Sequence, residues 1–362
     1  KYIDNPTDFI LDDNTVVPMP IGVSQPYETK LRNDRAYGAT NGMLPEWVYM
    51  YSMNNACNVM LANLDAPTYS GNADAKKNTL KAWAYFWKGY AYSRIGSMYV
   101  AGLIIDEPGK TNGDYVTHEE IIAEASKNFD LAATALSGIN SAADYDEVMN
   151  AIIPGYCIHE NGIPTPEEWV RNINTLKARN LIANKRVAEM TSADWAQLKT
   201  LADNGIRATD AIFVIKTTGT PSQSIFSDNV FGSNSLYAVG NDATYFISER
   251  LIQDYRAGDD RLSNNFDLLP SPEVNRRGRG LGFGTRYYLV DGGKGVNNSF
   301  TYVHTQAGID NHFMAGSYEE NELMKAEAEI QLGNVSGGVE LIDNVRSFQR
   351  ANLPAINPSS SK

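Results

Sequence analysis

The longest uninterrupted helical pattern in the sequence covers residues 72–102, NADAKKNTLKAWAYFWKGYAYSRIGSMYVAG. Apolar and aromatic residues recur along it at spacings of three and four, on two adjacent faces. One face carries Leu80, Ala84, Trp87, Ala91, Ile95 and Met98, and the other carries Trp83, Phe86 and Tyr90. A surface helix needs one apolar face, so this pattern predicts a central helix, roughly 40 Å long, with partner helices on both sides and its aromatic rings in the core.

Capping signals predict further helices on either side of the central one. Thr117 with Glu120 forms a capping box, and Pro166 suits the first position of a helix. Ser192 and Ser317 are N-cap residues for two more. We expect helices at about 45–64, 118–136, 166–190, 194–204, 318–332 and 339–351, with residues 138–165 as a loop.

Helices of this length, joined by short connections and rich in alanine, are typical of tetratricopeptide-like helical hairpins. The predicted hairpins pair residues 43–64 with 74–99, residues 118–136 with 166–187, and the two helices within 317–353. No strict 34-residue period is legible, so the repeats are diverged. The predicted fold class is therefore mostly α, an α/α superhelix of hairpins packed into one body.

The helical pattern stops between residues 206 and 316, where glycine, asparagine, serine and aromatic residues dominate. Within it, FVIKTT predicts a short strand and TYFISERLIQDYRA the only helix. A compact domain rarely carries so long an irregular segment unless the segment has a function. We therefore predict one domain, residues 1–362, in which a helical scaffold (43–204 and 317–353) carries a loop-rich, ligand-facing segment (206–316).

The charge balance limits the partners that such a chain can bind. With 31 basic and 43 acidic residues the net charge is −12, which argues against nucleic acid or an anionic membrane surface as the main partner. No window approaches a membrane-spanning apolar run, and residues 1–30 lack a signal-peptide pattern. The two cysteines, Cys57 and Cys157, both lie in apolar stretches and predict buried thiols, neither disulfide-bonded nor metal-bound.

The sequence contains no motif for catalysis, for a cofactor or for a metal ion. The four histidines do not fall at ligand-like spacings, and no nucleophile-elbow motif is present. The glycine-rich run RRGRGLGFG, residues 276–284, neither follows a clear strand nor opens a helix, so it predicts a flexible basic loop and no phosphate site. We expect no catalytic residue, no metal site and no cofactor.

Aromatic side chains on loops are the remaining candidates for binding. Sugar rings present C–H faces that stack on aromatic rings and hydroxyls that pair with asparagine, aspartate and arginine. The tyrosines and phenylalanines of the irregular segment lie close in sequence to several asparagines, and Tyr115 lies in a loop beside the first helices. These residues suggest a surface that binds polar ligands.

Three stretches of the sequence resemble the SusD/RagB family of nutrient-binding outer-membrane lipoproteins. They are LKAWAYFWKGYAYSRIGSMYVAGLIID, then WVRNINTLKARNLIANKRV with MTSADWAQLKTLADNGI, and SYEENELMKAEAEIQLGNVSGGVELIDNVRSFQRANLPA. The third is the most specific, because Lys325-Ala326-Glu327-Ala328 followed by Asp343-Asn344-Val345-Arg346 and a Leu-Pro-Ala exit is similar to the closing helical pair of the family. YFISERLIQDYRAGDDRL is similar to its short helix before the ligand-facing region.

The resemblance implies a surface-exposed lipoprotein of the outer membrane that is not an enzyme. It would bind a glycan or other nutrient and deliver oligosaccharide to a SusC-like TonB-dependent transporter. The sequence begins without the lipid-carrying cysteine, so we expect the membrane to be reached only through an N-terminal lipid anchor absent from these 362 residues. Many members continue further at the C-terminal end, so we expect a short or a truncated member.

For the ligand site we predict stacking rings and hydroxyl partners on the loops. The rings are Tyr115, Tyr287, Tyr288 and Tyr302, and the hydroxyl partners are Arg286 and Asn297. One alternative from another class is a helical-repeat scaffold that binds a protein partner and has no small-molecule site. A second is a glycoside hydrolase, which would need two carboxylates facing each other across a pocket.

Overall fold

The computed structural model describes residues 44–159, 161–216, 249–274, 284–289 and 311–359. The chain divides into two compact units. One, which we call the helical unit, lies within residues 46–214, 313–345 and 356–362, and the other, the second unit, lies within residues 1–45, 215–312 and 346–355. The prediction that residues 1–362 form a single domain stays a prediction.

Helices dominate the described part of the chain. They are α1 (Leu44–Ala62), α2 (Ala73–Met98), α3 (His118–Ser137), α4 (Ala142–Ile152), α5 (Pro166–Ala183), α6 (Ser192–Asp203), α7 (Glu249–Asp254), α8 (Asp260–Asn265), α9 (Tyr318–Gln331) and α10 (Val335–Phe348). Six strands accompany them in the described residues, β1 (Ala101–Leu103), β2 (Tyr115–Thr117), β3 (Val214–Lys216), β4 (Phe266–Val274), β5 (Gly284–Leu289) and β6 (Asn311–Phe313). They form three two-stranded sheets, β1 with β2, β3 with β6, and β4 with β5.

The predicted central helix is confirmed as α2. Asn72 caps its first turn by accepting a hydrogen bond from the Ala75 N–H at 3.1 Å. The helix packs against α3, α4 and α5, and its buried side chains come from both predicted faces. The approach to α3 requires glycine at position 89, because a Cβ there would lie 2.6 Å from the Phe129 ring.

The aromatic rings of α2 form the core of the helical unit, as predicted. Phe86 is fully buried, and its ring centroid lies 5.6 Å from that of Trp169 on α5 and 5.0 Å from that of Phe213. Trp169 and Phe213 are themselves 5.1 Å apart in an edge-to-face arrangement. Because edge-to-face pairs suit the charge distribution of aromatic rings, this cluster gains energy beyond its buried area. Phe213 reaches it from the segment that follows α6.

Three predictions about the helices were wrong. Residues 138–165 contain α4 and a 3-10 turn at Gly155–Cys157, because Ser141 caps a helix whose apolar face, Tyr145, Val148 and Met149, is buried. The hairpin pairing also differs: the most extensive contacts join α2 with α3, α6 with α9, and α5 with α6, although α3 does contact α5 as predicted. Ser192 is the first helical residue of α6, and Thr191 is its N-cap.

At the start of α6, the carboxylate of Asp194 accepts hydrogen bonds from three donor groups. The Lys185 ammonium lies 2.6 Å from Asp194, and the Thr191 N–H and hydroxyl each donate to that carboxylate at 2.7 Å. These contacts, the lysine first among them, hold the pKa of Asp194 at about 2, below its usual 3.8. A carboxyl group whose pKa is lower in the folded state stabilises the fold fully when the pH is above its unfolded-state pKa. This stabilisation is lost as the pH falls through the folded-state pKa.

We therefore expect the contribution of Asp194 to stability to be pH-dependent. The difference in unfolding free energy between the wild type and Asp194→Asn should be full at pH 5, shrink below about pH 3.8 and vanish near pH 2. Urea unfolding followed by circular dichroism at these three pH values measures the difference. A difference that stays constant over this range would show that the carboxylate is not held in its charged form.

The second unit contains more regular structure than its sequence predicted. The expected helix is present as α7, but α8 and the antiparallel pair of β4 and β5 were missed. Asp259 caps α8, and its carboxylate accepts hydrogen bonds from the backbone N–H and from the guanidinium of Arg261. The guanidinium NH2 group lies 2.6 Å from Asp259 Oδ2. Ile252 and Phe266 form a small buried cluster. The prediction that residues 206–316 have little regular structure was therefore wrong for these elements.

The two cysteines are free thiols, as predicted. Cys57 is buried on α1, and Cys157 is half-buried in the 3-10 turn. Burial raises the pKa of Cys57 to about 12 and that of Cys157 to about 11, so both thiols stay protonated at neutral pH. No helix in the described residues has the length and hydropathy needed to cross a membrane.

Candidate functional site

A β-hairpin with a long loop lies between α2 and α3. Its strands β1 and β2 pair antiparallel with Leu103 opposite Tyr115, and residues 104–114 form the loop between them. Thr117 is both the last residue of β2 and the N-cap of α3, so the strand leads directly into the helix. Gly109 adopts a φ of +66° within the loop, a conformation that favours glycine.

The start of the loop is held by polar side chains from α1 and α2. The Ile105 carbonyl accepts hydrogen bonds from Asn54 and Asn58 Nδ2, each at 2.8 Å, and from the Tyr92 hydroxyl at 3.1 Å. The Ile105 N–H donates to the same Tyr92 oxygen at 2.9 Å. The buried ammonium of Lys88 lies 2.6 Å from the Asn58 side-chain carbonyl and 2.8 Å from Asp106. The main chain at Ile105 is therefore fixed to the helices.

A cavity of about 350 Å³ lies between α1 and this loop. One face of α1 supplies Trp47, Tyr51, Asn54 and Asn55, and the hairpin supplies Leu103, Ile105, Gly109, Lys110 and Thr111. The helical residues fall at positions i, i+4, i+7 and i+8, so they share one side of the helix. The cavity therefore combines two aromatic rings, two amides, two hydroxyls and an ammonium group.

The two rings of the cavity are held in place by their neighbours. The Trp47 ring centroid lies 4.7 Å from that of Tyr51 and 4.9 Å from that of Tyr99. The Tyr51 hydroxyl donates to the Leu103 carbonyl at 3.1 Å and accepts from the Leu103 N–H at 2.6 Å. Burial raises the pKa of Tyr51 to about 12, so its hydroxyl stays protonated.

The side-chain oxygens of the two amides in the cavity differ in their hydrogen bonds. Asn55 Oδ1 accepts from the Gly109 N–H at 2.7 Å, which fixes the middle of the loop. Asn54 is 1% exposed, and its Oδ1 has no hydrogen-bond partner among the described residues. A buried acceptor without a partner is costly, so a ligand hydroxyl donated to Asn54 would be favoured.

Of the predicted site residues, Tyr115 belongs to the same unit as this cavity. It is the first residue of β2, directly opposite Leu103, and its side chain is 64% exposed. Its neighbour across the sheet, Leu103, lines the cavity. The structure thus places one predicted stacking ring beside a cavity that the sequence did not reveal.

The other predicted residues belong to the second unit or lie outside the described residues. Arg286 and Tyr287 are adjacent on β5, with the guanidinium carbon 5.5 Å from the ring centroid, and Arg286 is exposed. Tyr287 is half-buried and packs against the small cluster of Ile252 and Phe266. Tyr288 is placed on β5 by its backbone, opposite Asp267. Tyr302 and Asn297 lie outside the described residues.

Sequence reasoning missed the α1 wall of the cavity. Trp47, Tyr51 and Asn54 lie on one side of α1, where the helical pattern predicts packing, but a core face does not need an asparagine. The signal that could have found the site is the combination of asparagine with tryptophan and tyrosine on that face. Within the described part of the chain, no cluster of three or more histidine, cysteine, aspartate or glutamate side chains could hold a metal ion.

Comparisons with known proteins rest on structure, because no family model and no curated protein matches the sequence. A SusD superfamily protein from Bacteroides vulgatus superposes with a TM-score of 0.59 at 11% identity, covering 98% of this chain and 74% of that chain. NanU from B. fragilis superposes with a TM-score of 0.52 at 13% identity, covering 97% of this chain and 74% of that chain. A SusD/RagB family protein from Bacteroides thetaiotaomicron superposes with a TM-score of 0.51 at 15% identity, covering 98% of this chain and 70% of that chain.

Proposed function

We propose, from the SusD-like fold that these comparisons show and from the cavity beside the hairpin loop, that this protein binds a glycan or another polar nutrient without changing it. The fold confirms the predicted class of helices packed in a tetratricopeptide-like manner. The family resemblance of the sequence supports a lipoprotein exposed on the outer membrane. In this proposal it delivers oligosaccharide to a SusC-like TonB-dependent transporter.

The chemistry of the cavity is the observation that carries the proposal. A sugar needs an apolar ring surface for its C–H faces and polar groups for its hydroxyls, and the cavity offers both. Trp47 supplies the ring surface, and Asn54 supplies a buried acceptor that has no partner among the described residues. The volume is near the lower end for small-molecule sites, which suits the end of a chain better than a long segment.

The loop walls support binding because they need little rearrangement. The hairpin is tied to α1 and α2 at Leu103, Ile105, Asp106 and Gly109. A preformed site loses less conformational entropy when a ligand binds, so more of the contact energy contributes to affinity. In the second unit, Arg286, Tyr287 and Tyr288, with Tyr302 and Asn297, remain the proposed ligand contacts.

We expect Trp47→Ala to weaken glycan binding about tenfold, or about 1.4 kcal/mol, because it removes the stacking surface of the cavity. Tyr115→Ala should weaken binding of longer oligosaccharides more than that of short ones, since Tyr115 lies on the strand beside the cavity. Isothermal titration calorimetry with a panel of oligosaccharides of increasing length measures both effects. Trp47→Phe, which keeps an aromatic surface, should retain most of the affinity.

Tyr49→Ala is the matched control for these variants. Tyr49 lies on α1 two residues from Trp47, is 66% exposed and does not line the cavity, so its replacement should leave affinity unchanged. Absence of binding to every saccharide in the panel would contradict the glycan proposal and favour another cargo or a protein-binding scaffold. Release of reducing sugar from the panel would instead favour the glycoside hydrolase alternative.

A further inference from the structure

A second cavity, of about 290 Å³, lies in the helical unit and has a different chemistry. Its walls come from α1, from α2, from the turn after α4 and from the segment before β3. Ala56 and Pro154 are exposed at its edge, whereas Trp87 and Phe213 are buried behind them. The cavity therefore leads from the surface between α1 and the turn after α4 into the aromatic core.

Sulfur-containing side chains dominate the wall of this apolar cavity. Five of the lining residues contain sulfur, and they are Met53, Cys57, Met60, Cys157 and Met314. Among the described residues no charged side chain lines it, and the two thiols are neutral because burial raises the pKa of each. Methionine and neutral cysteine are soft, polarisable side chains that make favourable contacts with aromatic rings. Sugar hydroxyls would lose their hydrogen bonds to water here, so the cavity does not suit a glycan.

Three aromatic rings form the inner wall. The Trp83 and Trp87 centroids are 5.5 Å apart, and the Phe213 centroid lies 6.0 Å from Trp83 and 5.5 Å from Trp87. All three pairs are edge-to-face, which is a favourable arrangement for a further ring added to the cluster. An aromatic ligand would extend this cluster into the cavity.

The inner wall also contains a polar group that the described residues do not satisfy. Trp87 is 7% exposed, and its indole Nε1–H has no hydrogen-bond partner among the described residues. Buried indole N–H groups usually find an acceptor, because an unpaired donor loses its hydrogen bond to water without replacement. The Nε1 atom is shielded from solvent, so a ligand atom reaches it only when the Trp87 ring turns toward the cavity. A ligand atom that then accepts this hydrogen bond would remove that cost.

We propose that this cavity is a binding site for a small, uncharged aromatic molecule that carries one hydrogen-bond acceptor, which pairs with Trp87 Nε1. The volume suits such a ligand: a dry engineered cavity of roughly 150 Å³ in another protein binds benzene, and this cavity is about twice as large. A two-ring heteroaromatic compound fits the space. The site is separate from the glycan cavity in its lining residues and does not depend on the proposed function.

Quinoline and naphthalene are the probes for the test, because they have the same shape and only quinoline has an acceptor nitrogen. In equilibrium dialysis with the full chain, quinoline should bind at one molecule per chain, and naphthalene should bind the same site about fivefold more weakly. Trp87→Phe, which removes the N–H and keeps a ring, should make the two affinities equal. Equal affinities for the wild type would overturn the hydrogen bond to Trp87.

A second pair of variants keeps the test decisive if Trp87→Phe does not fold. Ala56 is exposed at the mouth of the cavity, so Ala56→Phe should block entry and abolish binding of both probes. Ala62→Phe places the same side chain on an exposed position of α1 outside the lining and should leave binding unchanged. Absence of saturable binding to the wild type, or unchanged binding to Ala56→Phe, would overturn the proposal.

Discussion

Replacing Trp169 with alanine is expected to lower the free energy of unfolding by about 3–5 kcal/mol. Trp169 is fully buried, and its ring contacts Trp83, Phe86 and Phe213 at centroid distances of 6.2, 5.6 and 5.1 Å. The substitution removes the transfer energy of the indole and leaves a cavity bounded by rings that cannot collapse into it. Chemical denaturation followed by far-ultraviolet circular dichroism measures the loss.

Two further variants separate packing from hydrogen bonding at this position. The Trp169 Nε1–H has no partner among the described residues, so Trp169→Phe removes an unsatisfied donor and should cost clearly less than the alanine variant. Tyr49→Ala removes an exposed ring from α1 and should change stability by less than about 0.5 kcal/mol. Equal effects of the Trp169→Ala and Tyr49→Ala variants would contradict the central position of this ring.

The second large loss of stability is expected when a buried ion pair, Arg171 with Asp210, is broken. The Arg171 guanidinium donates to both oxygens of Asp210, from Nε to Oδ2 at 2.6 Å and from an NH2 group to Oδ1 at 2.8 Å. The Asp210 side chain is 3% exposed, and the Arg207 N–H also donates to it at 2.9 Å. Asp210→Ala leaves the guanidinium and this N–H without their acceptor, which should cost about 3 kcal/mol.

An exposed pair in the same unit provides the control. Lys77 and Asp65 lie 2.6 Å apart, but the aspartate side chain is 88% exposed, so Asp65→Ala should cost far less stability than Asp210→Ala. The same denaturation experiment, repeated for Asp210→Ala with Arg171→Ala in a double-mutant cycle, measures the coupling. A coupling no larger than that of the Lys77–Asp65 pair would show that burial does not strengthen the contact between Arg171 and Asp210.

Helix positions in this protein could be predicted where the signal is local. Thr117 with Glu120 and Thr165 with Glu168 both form the reciprocal hydrogen bonds of a capping box, and each helix begins where its sequence predicted. The faces of α2 were also predictable, because burial on a helix follows a period of 3.6 residues. These features depend on residues three or four positions apart.

Features that depend on distant residues could not be predicted in the same way. Phe213 joins the aromatic core only because the chain after α6 returns to α2, and the sequence near position 213 predicted only a short strand. The cavity beside the hairpin needs α1 and the loop at 104–114 together, and no spacing rule joins them. Strands β1 and β2 are three residues long, too short for an alternating pattern to be recognised.

The closed base of the β1–β2 hairpin allows the loop between its strands to vary in length. Strands β1 and β2 hold both ends of the 104–114 loop together, so extra residues inserted after Asp106 would not have to span a new distance. Doubling the length of a flexible loop costs only about 0.6 kcal/mol of closure entropy. Chains of this architecture can therefore accept longer loops at this position while the helices beneath keep their sequence.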